Sequence, residues 1–236
     1  MKNVRAVLGV IVGVLAIAGA AMGQGASVVP FASGERLRYE IVWPSGLRLG
    51  DAEFLANSNQ AGWAFSADIS ANLPAIVVQD KYQSSTDFSL CSTRFAKQVT
   101  HGRRNQNEEV EFDQSANTAL RKNLADSTTQ DLVVPPCVRD ALAYLYYLRQ
   151  DLSHGRVPPP DDFNFGPQMQ VSVSYVETRK IESRGVMQDA DRLLIYVTGG
   201  EKPINIEVFL AKDEARTPLL LRAPFELGTF SLRLVE

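Results

Sequence analysis

The chain has 236 residues, 45% of them hydrophobic, with 24 Lys plus Arg against 27 Asp plus Glu and a net charge of −3. That mild acidity argues against nucleic acid, and against anionic lipid headgroups, as main partners. Two histidines and two cysteines leave little material for a metal centre or thiol chemistry.

Residues 1–23 read as an export segment. Lys2 and Arg5 give a positive start, Ala6 to Ala18 is uncharged and apolar, and Ala21-Met22-Gly23 puts small residues before a cleavage point at Gln24. The apolar run of about 17 residues lacks the basic flank of a retained anchor. No cysteine follows it to take a lipid. Lys2 and Arg5 are the only charges removed, so the remaining 213 residues carry 22 basic and 27 acidic side chains, net −5. The expected product is periplasmic or secreted, with no transmembrane anchor after processing.

From Arg36 to Trp43, Leu37, Tyr39, Ile41 and Trp43 share one face of a strand, and Arg36, Arg38 and Glu40 the other. Pro44-Ser45-Gly46 is a turn, and Leu47 to Ala56 returns with a bulge at Gly50. Trp63, Phe65, Ala67 and Ile69 repeat the alternation. Leu73 to Val78 breaks it, as a buried crossing segment or as an apolar lip at the mouth of a cavity. Shorter strands follow at 93–102, 106–113 and 116–122.

Residues 137–152 (CVRDALAYLYYLRQDL) form a helix without a water-facing side, uncharged from Ala141 to Leu148. Pro135-Pro136 set its start and Gly155 its end. Pro158 to Asp162 is a stiff connector and the best place for a domain boundary. It is rejected, because one all-apolar helix needs strands from both halves to cover it. Alternation then resumes at 171–175, 193–197, 204–210 and 230–234. The expected fold is mainly β: an antiparallel curved sheet of roughly ten strands, barrel or half-barrel, wrapped around or capped by one buried helix, as a single domain over 24–236. In an exported chain Cys91 and Cys137 read as a disulfide.

A GERLRYE opening (Gly34 to Glu40), DALAYLYYLR (Asp140 to Arg149) and a terminal RTPLLLRAPFELGTFSLRLVE (Arg216 to Glu236) together resemble the bacterial exported family catalogued as domain of unknown function 3108. The resemblance implies an envelope location and a β-rich fold. It implies no activity and assigns no residue a role.

Chemistry is sparse. His101 and His154 lack partners at metal-ligand spacing, and no nucleophile elbow or phosphate loop occurs. No catalytic residue, metal or cofactor is expected. Arg103-Arg104 beside His101 have the makings of a small anion site, although exposed basic residues on a tight turn are the simpler reading. Glu108-Glu109, Asp161-Asp162 and Asp189/Asp191 read as solvated carboxylates.

The leading expectation is a non-enzymatic envelope protein that binds an apolar small molecule or lipid in a β-cradle. Trp43, Trp63 and Phe65 would line the cradle, and Tyr144 or Tyr147 would orient a polar head. The alternative is a structural or interaction module with a filled core and an envelope protein as partner. A hydrolase comes third.

Overall fold

The computed structural model describes residues 29–73, 76–164, 167–200, 202–225 and 228–236. The export segment expected at 1–23 lies outside them. Eight strands precede the helix: β1 (Glu35–Val42), β2 (Arg48–Ser58), β3 (Trp63–Leu73), β4 (Ile76–Thr86), β5 (Ser92–His101), β6 (Arg104–Asp113), β7 (Thr118–Asn123) and β8 (Thr128–Val133). The two-residue β9 (Arg139–Asp140) leads into α1 (Ala141–Ser153). Then come β10 (Asp161–Asn164), β11 (Gln168–Ser183), β12 (Val186–Thr198), β13 (Ile204–Ala211), β14 (Pro218–Phe225) and β15 (Gly228–Leu234).

All fifteen belong to one curved, unclosed sheet, ordered β8 back to β1, then β15 back to β9. The joint is the antiparallel pair β1–β15, for example Tyr39 opposite Leu234. Among the described residues only β9 and β10 run parallel. The connector at 158–162 therefore leads straight into the same sheet.

Cross-strand rows explain the close inner packing of the first half. Tyr39 faces Ala52, which faces Ile69; Leu37 faces Phe54, which faces Ala67. Large beside small lets these rows pack without collision. The outer rows are polar, as in Arg38 opposite Glu53 opposite Asp68 opposite Lys81. Arg38 and Glu53 meet at 3.0 Å, but exposed pairs of this kind contribute little stability. The bulge expected at Gly50 appears beside it: Ile41 pairs with Gly50 and Val42 with Arg48, leaving Leu49 extra. A Cβ at Gly50 would stand 1.9 Å from the Ser70 carbonyl oxygen, so only glycine fits there.

The helix crosses one end of the half-barrel instead of running along a strand. Its start is held at Ser84 and Ser92, at the β4 and β5 ends of that rim, and its last turns at Glu35 and Ala215. Leu142 and Tyr146 pack into one core with Phe31, Trp63 and Phe65. Tyr144, Leu148 and Leu152 pack into a second with Phe163, Leu193 and Val208. One helix thus serves both halves of the sheet. Among the described residues no helix is long and apolar enough to cross a membrane.

Several expectations need correction. The helix starts at Ala141, not at 137: Asp140 caps it, and Cys137 has φ 56°, which no helix accommodates. Fifteen strands among the described residues replace the roughly ten expected. The missing ones were hidden where alternation is weak, as in the polar TTQDLV of β8, or where the stretch is too short, as in β9. Leu73 to Val78 is no crossing segment, because Leu73 ends β3 and Ile76 begins β4, with Ile76 and Val77 exposed. Finally, the polar end of the helix is buried too: Arg149, Gln150 and Asp151 all lie inside, whereas Leu145 and Tyr147 are only half-buried.

Candidate functional site

Three local devices hold the helix across the rim. Cys91 and Cys137 are joined, tying the β4–β5 turn to the segment before β9. Asp140, fully buried, accepts hydrogen bonds from the hydroxyls of Ser84 (2.5 Å) and Ser92 (2.7 Å) and from the backbone N–H groups of Leu142 and Ala143. Burial pushes its carboxyl up to about 6, against the opposing pull of those four donors. Arg149, 0% exposed, makes a two-pronged contact with Glu35 (2.6 and 2.7 Å) and donates to the Ala215 carbonyl. Its guanidinium also faces the rings of Phe31 and Tyr146 at 5.1 Å.

Directly under the helix the space is full. The Phe65 ring stacks on Tyr146 at 4.0 Å, and Phe31 meets Trp63 edge-on at 4.9 Å and Tyr146 at 4.8 Å. Further down the strands the packing loosens. Trp43, Ile69, Leu73, Val78, Leu221 and Leu232 point to the concave side yet are only half-buried. Val173 and Ile206 continue that surface on the second half. On the helix, Leu145 lies between the Leu142/Tyr146 and Leu148/Leu152 faces and so points down into this region, again half-buried. The concave side is thus an apolar cradle that the chain itself covers incompletely.

The wall of the cradle changes character at β4. Ile69 of β3 stands opposite Asp80, and Val78 stands opposite His101. Asp80 is buried and lies 3.0 Å from His101 Nε2, while the Tyr82 hydroxyl donates to it at 3.2 Å. Behind them Lys97 (5% exposed) sits 3.4 Å from Glu108 (7% exposed), which also takes Arg121 at 2.9 Å. Burial holds the Lys97 amine below its ordinary value, although Glu108 pulls the other way. Burial alone would raise Glu108, but Arg121 and Lys97 outweigh it and hold its carboxyl low. Arg104, inward in register opposite His101, is exposed and makes no ion pair among the described residues.

The five residues expected to line a cavity are thus divided. Trp43 stands in the open part of the cradle, edge-on to Phe230 at 4.9 Å. Trp63 and Phe65 are buried in the filled zone. Tyr144 packs against Phe163, and Tyr147 lies beneath the Arg139 guanidinium at 3.7 Å. Reading the sequence missed Phe31, Tyr146, Arg149 and the inward polar wall. Glu108, expected to be solvated, is buried, and His101 ends β5 beside Asp80. Parity along the strand was the available signal, since Glu108 shares it with Val110 and Phe112.

The open concavities elsewhere are valleys on the outer face. One of about 690 Å³ runs between the rows Arg38, Glu53, Asp68, Lys81 and Arg48, Asp51, Ser70, Gln79. Its lining mixes these polar and charged side chains with Tyr39, Ala52, Ile69 and Val235, and it lies open to solvent. Among the described residues no group of His, Cys, Asp and Glu is arranged to hold a metal ion.

The family described as "Protein of unknown function (DUF3108)" matches residues 38–235. The chain belongs to the DUF3108 family. Among solved structures this DUF3108 chain is similar to a beta-barrel-like protein of domain of unknown function DUF1849 from Brucella abortus, at 10% identity and TM-score 0.63. The match covers 85% of this chain and 95% of the other, and it speaks to fold alone. A candidate lipoprotein from Parabacteroides distasonis (7% identity, 88% and 97% covered) and a candidate exported protein with a YmcC-like fold from Bacteroides fragilis (11%, 89% and 98%) have TM-scores of 0.35 and 0.33, too low to argue from. No curated protein matches the chain.

Proposed function

We propose that this DUF3108 chain is an exported envelope protein that holds the acyl part of an amphiphile in the cradle below its helix, without catalysing a reaction. One observation carries the reading: a contiguous set of inward apolar side chains, Trp43, Ile69, Leu73, Val78, Leu145 and Leu221 among them, is left half-buried. Apolar surface that a protein leaves uncovered in a concave site is the ordinary setting of an apolar ligand. Export is supported by the pattern of residues 1–23 and by the disulfide, which belongs to an oxidising compartment.

The two tryptophans make the test specific. Titration of the exported chain with dodecanoate should change its tryptophan fluorescence saturably at micromolar ligand. Trp43→Phe should abolish that response, and Trp63→Phe, in the filled zone, should keep it. Native mass spectrometry of protein taken from the cell envelope should find a bound amphiphile. With no saturable change and no bound molecule, the cradle reading falls and an interaction module with an envelope partner takes its place.

A further inference from the structure

We infer that the inward polar wall of β4–β7 is the headgroup subsite of the cradle and takes an oxyanion, a carboxylate or phosphate borne on an acyl chain. The inference rests on the cradle reading above and adds the chemistry of the head. Position comes first. Ile69 and Asp80 are cross-strand partners on one face, as are Val78 and His101, so apolar and polar walls meet with no strand between them. A chain lying along Ile69 and Val78 brings its head to His101 and Arg104, neighbours across the next strand pair.

Charge comes second. The wall carries Lys97, Arg104 and Arg121 against Asp80 and Glu108, with the His101 imidazole beside Asp80. Glu108 is taken up by Lys97 and Arg121, and Asp80 by His101 and Tyr82. Arg104 is left over. Three basic side chains thus face two carboxylates on this wall, although the whole chain is acidic. A guanidinium beside an imidazole, both reachable from the cradle, presents several N–H donors to one oxyanion. The His101 side chain is 38% exposed and Arg104 is exposed, so a head can reach them without unfolding the sheet.

The test compares heads on one chain length. Dodecanoate, dodecyl phosphate and dodecyl maltoside, each below its micelle concentration, are titrated by calorimetry into the exported chain. Both anions should bind about tenfold tighter than the maltoside, the worth of one charge-assisted contact. Arg104→Gln and His101→Gln should each weaken the anions by about that factor and leave the maltoside unchanged, and Arg104→Glu should weaken the anions further. Arg104 makes no ion pair among the described residues, so its variants test binding and not folding. The tighter of the two anions identifies the head as carboxylate or phosphate. Equal binding of all three ligands would overturn the headgroup subsite and leave the cradle standing. Binding of none would overturn both.

Discussion

Asp140 shows how one residue couples fold and pH. Its folded value of about 6 lies above the ordinary 3.8, so its contribution to stability is fully present below about pH 3.8 and is lost as pH rises through about 6. The shift corresponds to about 3 kcal/mol at roughly 1.4 kcal/mol per unit. Asp140→Asn keeps a capping side chain and removes the titration. Urea midpoints of the two proteins should diverge between pH 4 and 6, with the variant gaining on the native chain as pH rises. A constant difference across that window would mean that Asp140 does not titrate there. Arg149 makes the opposite case, a charge whose partner matters more than its pH. Glu35→Gln leaves a guanidinium with 0% exposure without its carboxylate partner, at a cost of about 3–5 kcal/mol. Adding Arg149→Met should recover most of that loss, read as thermal midpoints of the single and double variants.

At the scale of elements, the helix owes its place to both ends. The disulfide closes 46 residues ahead of it, and the chain-entropy model values such a closure at about 4 kcal/mol. Cys137→Ser should therefore lower stability by a few kcal/mol, and native protein denatured without reductant should show no thiol to an alkylating reagent. Position along the helix then sets the cost of a charge. Leu148 is 0% exposed between helix and second core, so Leu148→Asp should unfold the domain, given a total stability of about 5–15 kcal/mol. Leu145 points into the half-open cradle, and Leu145→Asp should leave a folded protein that no longer takes dodecanoate. Should Leu145→Asp unfold as completely as Leu148→Asp, the cradle beneath the helix would be a closed core.

For the whole molecule, the order of strands decides what can be a site. The pair β1–β15 brings the two ends of the described chain together, and the sheet curves away from it in both directions. The helix covers only one rim of that curve, where Phe65, Tyr146 and Phe31 fill the space. The remaining concave surface is shared by strands far apart in sequence, Trp43 and Ile69 from one half, Ile206 and Leu221 from the other. Removing either half should therefore abolish ligand binding and folding together, which limited proteolysis with mass spectrometry of the products would show as the absence of a stable half-length fragment.

Much of this is legible in one dimension. Period-two alternation in RLRYEIVW and WAFSADIS marks β1 and β3, because successive side chains on a strand must face opposite sides. The apolar circumference of 141–148 marks a buried helix, and two cysteines in an exported pattern mark a disulfide. Family membership was visible too, in three stretches spread over most of the chain. What lies across strands was not legible. That Glu108 is buried with Lys97 and Arg121, that Arg149 finds Glu35 from 114 residues away, and that Asp80 faces His101 all depend on register. Parity says only that a side chain points inward; strand pairing and the path of the helix decide which partner it meets there and how much of it stays uncovered. The helix covers one rim and not the other because its cap at Asp140 and its anchor at Arg149 fix both ends, and those contacts exist only once the sheet has curled.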